Sequence, residues 1–188
     1  MSLQATTWQT VGPFFRLGLS HLNGAEIAPS GTPGEVVTVE GRVLDGYGDP
    51  VSDAVVEIWQ ADANGRYNAS EETALDTTVS VFTGFGRVPT DEQGRFRFST
   101  VRPGPVPTQD GDLQAPHLAV RVMMRGLLRD LVTRMYFPSE MLESDPVLQS
   151  VPEDRRGTLT AAHLPASEAT VVWNIELQGE RETVFFDC

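Results

Sequence analysis

The sequence predicts an all-β protein, an antiparallel β-sandwich with an extended N-terminal arm and little helix. Three observations support this fold class. Short apolar segments alternate with period two or are rich in β-branched residues, Gly and Pro turns separate them, and helical periodicity is scarce. A chain of 188 residues suits one core, so we expect an arm over residues 1–35 and a β-sandwich domain over residues 36–188.

The arm is predicted from its composition. Met1 to Glu35 is rich in Gly, Pro and Thr and shows neither helical nor strand periodicity, so it needs a surface on which to lie. Phe14 and Phe15 within it, and Phe185 and Phe186 near the other terminus, are aromatic residues that a monomer would struggle to cover. We therefore expect both ends of the chain to contact a partner.

The first strands follow the arm. Val36 to Val43 is β-branched and bounded by Gly and Pro, which predicts a strand. Ala54 to Gln60 predicts the returning strand, and the turn residues Asp45 to Pro50 between them favour a hairpin or a neighbouring pair. After another turn at Asp62 to Gly65, the polar stretch Ala69 to Val81 is predicted to be a long loop.

The rest of the chain predicts four more strands and two short helical turns. The strands are Phe96 to Val101, His117 to Met124, Asp130 to Phe137 and Thr170 to Leu177. In the last strand we expect Val171, Trp173, Ile175 and Leu177 to face inward. The helical turns are predicted near Asp145 to Ser150 and Glu153 to Gly157, too short to form a layer of their own.

Charge and composition exclude several classes of partner. The chain carries a net charge of −12, which disfavours nucleic acid and anionic membranes. All 14 basic residues are arginine; arginine suits planar recognition of carboxylates, and a genome that prefers arginine codons is the alternative explanation. Cys188, an incidental thiol, is the only cysteine, and no signal peptide or membrane helix is recognisable, so we expect a cytoplasmic protein.

Familiar catalytic motifs are missing from the sequence. It contains no Cys/His cluster, no nucleophile elbow and no phosphate-binding Gly loop. The three histidines, His21, His117 and His163, lack the paired spacing of a metal site. His117 is predicted on a strand with apolar neighbours, which favours a core histidine with satisfied hydrogen bonds.

One long segment carries a resemblance to a known family. Residues 41–67 read GRVLDGYGDPVSDAVVEIWQADANGRY and resemble the signature of the intradiol ring-cleaving dioxygenases. The similarity continues through TVRPGP at 100–105, APHL at 115–118 and TRMYFP at 133–138. The resemblance implies a β-sandwich and a role in the cleavage of an aromatic diol by O₂ at ferric iron.

The same resemblance shows that metal ligands are missing. Iron-holding members bind Fe(III) through two tyrosinates and two histidines. A G-P-Y-P turn is replaced here by Gly-Pro-Val-Pro at 104–107, and an H-x-H segment by His-Leu-Ala at 117–119. The other tyrosine belongs to the loop after Tyr67, yet no tyrosine occurs between Asn68 and Met135, and Tyr136 on its strand is not expected to replace it. The resemblance therefore implies no metal ligands and no catalytic residues in this chain.

The chain ends sharpen the resemblance. QTVGPFF at 9–15 and GERETVFFD at 179–187 are similar to the metal-free chain of two-chain family members, in which a related β subunit holds the iron. By that resemblance Thr10, Gly12 and Pro13 are substrate-binding residues that line the partner's pocket. Thr10 offers a hydroxyl, Gly12 permits close approach to its backbone, and Pro13 has a rigid φ. The alternative is an arm that only ties the two chains together.

Arg125 is the fourth residue that the resemblance assigns to substrate binding. It matches an arginine near the pocket, where a guanidinium suits a substrate that bears a carboxylate. The alternative is a solvated turn arginine or an interface ion pair.

The resulting expectation is a metal-free subunit whose partner, an iron-bearing β subunit, holds Fe(III) and acts with O₂ on a small aromatic substrate. Two rivals remain open. A self-sufficient enzyme with relocated ligands would contain iron when purified alone. A non-catalytic binding or scaffolding β-sandwich derived from the same family would be a stable monomer that needs no second chain.

Overall fold

Two β-sheets pack face to face in the computed structural model, which describes residues 6–67, 82–165 and 167–187. In chain order the strands are β1 (Val36–Leu44), β2 (Val55–Trp59), β3 (Phe85–Pro89), β4 (Arg95–Val101), β5 (Val106–Pro107), β6 (Leu113–Gln114), β7 (His117–Met123), β8 (Leu131–Tyr136), β9 (Ala162–Leu164), β10 (Ser167–Val172) and β11 (Ile175–Glu176). The first sheet contains β4, β1, β10, β11 and β9, and the second has the order β3-β2-β7-β8. The predicted β-sandwich is therefore confirmed.

The strand directions differ from the prediction in one sheet. All pairs in the β3-β2-β7-β8 sheet are antiparallel, as predicted. In the other sheet β1 is antiparallel to β4 but parallel to β10 and β11. Since β1 and β10 are joined through most of the chain and not by a hairpin, no turn fixes their relative direction.

The predicted pairing of the first two strands is wrong. β1 pairs with β4, β10 and β11, whereas β2 pairs with β3 and β7 in the opposite sheet. The segment between them crosses the sandwich, where Thr90 Oγ1 donates to the carbonyl oxygens of Val51 and Ala54 at 2.8 and 3.2 Å. Turn residues between two strands thus indicate that the chain changes direction, but they do not determine which sheet the second strand joins.

Strand β3 was not recognised in the sequence because a charged residue interrupts its apolar pattern. Arg87, at its centre, is 2% exposed, and its Nε lies 3.3 Å from Glu57 Oε1 on β2. Buried charges of this kind are tolerated when they are paired and hydrogen-bonded. The neighbouring predicted loop, Ala69 to Val81, lies outside the described residues.

The core lies between the sheets and follows the alternation of the strands. On β1 the side chains alternate between buried and more exposed positions over most of its length, as expected for a strand with one face on the core. In the last predicted strand, Val171, Trp173 and Ile175 are buried and Leu177 packs against the core. That strand is split into β10 and β11, which Trp173 and Asn174 separate.

Helix is confined to short segments: α1 (Phe14–Leu17), α2 (Pro146–Gln149) and α3 (Glu153–Arg156). The last two lie where helical turns were predicted. Asp145 caps α2, since its Oδ1 accepts from the N–H groups of Val147 and Leu148 at 3.0 and 2.7 Å. Within the described ranges, no helix has the length and apolar character needed to cross a membrane.

The N-terminal segment has two parts with different environments. Residues 24–28 join the sandwich: the N–H of Ile27 donates to Ser99 O at 2.9 Å, and Ile27 is buried in the core. Before them, Trp8, Phe14 and Leu17 are largely exposed. The assignment of residues 1–35 as a partner-contacting arm stays a prediction.

At the other terminus, the expectation that both phenylalanines need a partner was too strong. Phe185 packs against the main core, and Phe186 packs against a smaller cluster around Tyr136. Phe186 N–H also donates to Val132 O at 2.8 Å. The chain itself therefore covers part of both rings.

Candidate functional site

His117, the one candidate metal ligand left by the sequence, is a structural residue. It is 3% exposed, and its Nδ1 lies 2.8 Å from Ala115 O. Because a carbonyl oxygen only accepts, this nitrogen carries the ring proton. Burial, and then the positive charge of Arg134, lower the pKa of His117. The prediction of a core histidine with a satisfied hydrogen bond is confirmed.

Tyr136 packs beside His117, a contact that sequence reasoning did not foresee. The two residues are partners in the β7–β8 pair, and their ring centroids are 5.6 Å apart. The Tyr136 hydroxyl donates to Asp145 Oδ1 at 3.1 Å and accepts from Arg134 Nη1 at 3.4 Å. Burial is the main cause that raises the pKa of Tyr136 well above its ordinary range, so the side chain stays a phenol. Ferric iron requires the phenolate.

Two of the three positions that lack a metal donor hold apolar side chains in the described structure. Val106, on β5, is 9% exposed, and Ala119, on β7, lies between Trp59 and Arg134 in a cross-strand row. Arg134 Nη1 donates to Gln114 Oε1 at 2.6 Å, which fixes a positive charge beside this row. Across 6–67, 82–165 and 167–187, no three His, Cys, Asp or Glu side chains gather into a metal-binding group. The described residues at these positions therefore do not fit ferric iron.

A surface cleft of about 230 Å³ brings together three of the four substrate-binding residues predicted from the resemblance. Gly12, Pro13 and Arg125 line this cleft, which we call the arm cleft. The fourth residue, Thr10, lies beside it: its Oγ1 accepts from the N–H of Gly126 at 2.8 Å. The arm and the turn after β7 are thus joined where the sequence placed its candidates.

Two arginines, Arg87 on β3 and Arg16 in the arm itself, join the arm to the sandwich at this cleft. Arg87 Nη2 donates to Phe15 O at 2.7 Å, and its guanidinium lies 4.5 Å from the centroid of the Phe15 ring. Arg16 Nη2 donates to Thr90 O at 2.8 Å. Pro13, with φ of −60°, directly precedes α1 and suits the start of a helical turn. The buried Arg87–Glu57 pair therefore has a structural role in fixing the arm.

Gly12 is open on the side where a side chain would project. A Cβ built at this position meets no atom of the described residues within 4 Å. Its carbonyl oxygen accepts from the N–H of Phe15 at 3.0 Å, which begins the turn into α1. Among the described residues, no atom therefore approaches Gly12 closely on this side.

Arg125 lies at the arm cleft and also forms an ion pair within the chain, and its role in substrate binding stays a prediction. Its side chain is 69% exposed and lines the arm cleft, while its Nε forms an ion pair with Asp53 Oδ2. Asp53 and Arg16 also line this cleft, so two positive charges and one negative charge meet there. The sequence analysis predicted neither Asp53 nor Arg16 as a site residue. Asp53 and Arg125 are 72 positions apart, and no local sequence pattern links them. The cleft is locally positive in a chain whose net charge is −12, which favours an anionic ligand.

Comparison with known proteins identifies the family. Residues 11–179 match the family model described as Dioxygenase. The chain is 42% identical to the protocatechuate 3,4-dioxygenase alpha chain of Burkholderia cepacia, with 99% of this chain and 98% of that protein covered. It is 39% identical to the beta chain of the same organism's enzyme, with 67% of this chain and 55% of that protein covered.

A solved structure supports the same fold. The dioxygenase domain of a dioxygenase and carbohydrate-binding protein fusion from Streptomyces sp. SirexAA-E superimposes with a TM-score of 0.64. The alignment covers 86% of this chain and 89% of that one at 22% sequence identity. The full-length similarity to a protocatechuate 3,4-dioxygenase chain, the family model and the shared sandwich lead to one conclusion: the chain belongs to the intradiol dioxygenase family.

Proposed function

We propose that this chain is the metal-free α subunit of a protocatechuate 3,4-dioxygenase and that an iron-bearing β subunit is its partner. The observation that carries the proposal is the replacement of metal donors by Val106 and Ala119 in a chain that is similar over its full length to an alpha chain. The neutral His117 and the phenol of Tyr136, held by Arg134 and Asp145, offer no substitute set.

The reaction proposed for the assembled enzyme cleaves protocatechuate between its two hydroxyl-bearing carbons. Both atoms of O₂ enter the product, 3-carboxy-cis,cis-muconate. Ferric iron on the partner supplies the chemistry of ring opening when it is bound there. The residues of this chain bind and orient the substrate from outside the metal site.

The arm cleft is the part of this chain suited to that task. Protocatechuate carries a carboxylate, and Arg125 offers a planar guanidinium with several N–H donors. Thr10 fixes the arm to the turn that bears Arg125 through the hydrogen bond to Gly126. Gly12 leaves room for the partner's pocket wall or the substrate to approach the backbone.

A reconstitution experiment tests the proposal. This chain and a related chain with intact G-P-Y-P and H-x-H motifs are produced separately and together, and O₂ uptake with protocatechuate is measured. We expect turnover at full rate only from the two chains together. Turnover by this chain alone would show a self-sufficient enzyme, and full turnover by the partner alone would show that this chain is dispensable.

A further inference from the structure

Asp53 and Arg125 form an ion pair within the arm cleft, and its geometry is one-sided. The contact joins Arg125 Nε to Asp53 Oδ2. Among the described residues, the Asp53 side chain has no other hydrogen-bond donor, and the terminal nitrogens Nη1 and Nη2 of Arg125 have no acceptor. The pair therefore uses Nε of the guanidinium, and no described residue occupies its terminal nitrogens.

The unoccupied end has the shape that a carboxylate requires. A guanidinium presents five N–H donors in a planar fork, and a carboxylate binds two of them in parallel. With Nε taken by Asp53, the four N–H groups on Nη1 and Nη2 remain for a ligand. Asp53 and a bound carboxylate can thus contact the same arginine without competing for the same hydrogen atoms.

We infer that Asp53 is a positioning residue that holds Arg125 in the arm cleft, so that the terminal nitrogens of Arg125 receive the carboxylate of the substrate. This inference rests on the proposed function and adds a residue to it. An exposed arginine samples many rotamers, and an acceptor at Nε selects those in which the guanidinium stays at the cleft before the ligand arrives. A ligand that finds its arginine already placed binds more tightly.

The negative charge of Asp53 opposes this effect but does not cancel it. The contact of Asp53 is with Nε, and no hydrogen bond joins it to the terminal nitrogens. Arg16 lines the same cleft and adds a second positive charge, and its own hydrogen bond goes to Thr90 O, which is neutral. An anionic ligand therefore still meets a net positive site.

The test uses the assembled two-chain enzyme with protocatechuate and with catechol, which lacks the carboxylate. Asp53→Ala should raise KM for protocatechuate by about three- to tenfold, with kcat and the constants for catechol within about twofold. Asp53→Asn, which keeps an oxygen acceptor for Nε, should have a smaller effect. In an Arg125→Ala background, Asp53→Ala should add nothing, because there is no guanidinium left to position.

A matched control comes from the Arg181–Glu176 pair. Its side-chain exposures of 80% and 20% resemble the 69% and 21% of Arg125 and Asp53, and neither residue lines the arm cleft. Glu176→Ala should leave KM for both substrates unchanged.

Three results would overturn the inference. A lower KM for protocatechuate in Asp53→Ala would make Asp53 a competitor of the substrate. Equal losses with both substrates, or additive losses in the double variant, would make its role structural. If Arg125→Ala lowers kcat/KM equally for both substrates, the proposed binding of the substrate carboxylate by Arg125 is wrong. If Arg125→Ala is selective for protocatechuate and Asp53→Ala is not, the proposed function is kept and only the role of Asp53 is wrong.

Discussion

Two regions of this sandwich contain polar side chains that a dioxygenase chain could use, and they differ in where their hydrogen bonds go. Beside His117, the Tyr136 hydroxyl and the Asp145 carboxylate are satisfied by the chain itself: Tyr136 bonds Asp145, and Asp145 also bonds the N–H groups of Ala115, Val147 and Leu148. In the arm cleft, Arg125 is mostly exposed, and its terminal nitrogens have no acceptor in the described part of the chain.

This difference separates a structural polar cluster from the proposed ligand site. A buried network that is fully satisfied rigidifies the fold and offers nothing to a ligand. An exposed arginine with free donors in a cleft contributes little to stability but is available for binding. Substitutions in the first region should therefore change stability, and those in the second should change catalysis by the assembled enzyme.

The largest effect is expected from Asp145→Ala. This change leaves the Tyr136 hydroxyl and three backbone N–H groups, two of them buried, without their acceptor and removes the cap of α2. We expect the free energy of unfolding to fall by about 3 kcal/mol or more. Urea unfolding measures it, with the exposed Asp112→Ala as a control that should change stability by less than about 0.5 kcal/mol.

Arg125→Ala should give the next largest effect, and it acts on catalysis. A hydrogen bond to a charged group is worth about 1.5 to 3 kcal/mol, so kcat/KM for protocatechuate should fall roughly ten- to a hundredfold, nearer the lower end because the site is exposed to solvent. Catechol serves as the control substrate and should be affected much less. Equal losses for the two substrates would assign Arg125 to structure.

Gly12→Val tests whether the arm lies close to the active site of the partner. A Cβ at this position meets no atom of the described residues within 4 Å, so we attribute a clash in the assembled enzyme to the partner or the substrate. We expect activity of the assembled enzyme to fall by about tenfold while its iron content stays the same. A parallel loss of iron and activity would mean that the arm serves assembly alone.

The smallest effect is expected from His117→Gln. The ring of His117 bonds only Ala115 O among the described residues, so stability should fall by about 1 kcal/mol. Activity and iron content of the assembled enzyme should stay within measurement error. Loss of iron in this variant would show that His117 is a metal ligand after all.

The sequence predicted those features that depend on local pattern. The alternation on β1 and the aromatic and β-branched residues around Trp173 predicted strands with one buried face, and the structure confirms them. Strand β3 was missed because Arg87 is buried through partners on β2 and in the arm, which no local pattern reveals. The position of β2 in the opposite sheet was also missed, because no local sequence pattern shows which strands pair.

The candidate site was predictable only in part. Thr10, Gly12, Pro13 and Arg125 came from the resemblance, and the structure places three of them around one cleft and the fourth beside it. Asp53 lies within the segment that carries the resemblance, yet only the folded chain brings it to Arg125. The contact between His117 and Tyr136 depends on the register of β7 and β8, which apolar patterning does not fix by itself.

The central claim, that this chain contributes a binding cleft and no metal ligands, is tested most directly by iron analysis. Iron is measured in this chain purified alone and in its complex with the related iron-bearing chain, together with the visible absorption of a tyrosinate–iron centre. We expect far less than one iron per chain in the first sample and about one per pair of chains in the second. Near-equimolar iron with that absorption in the isolated chain would contradict the claim.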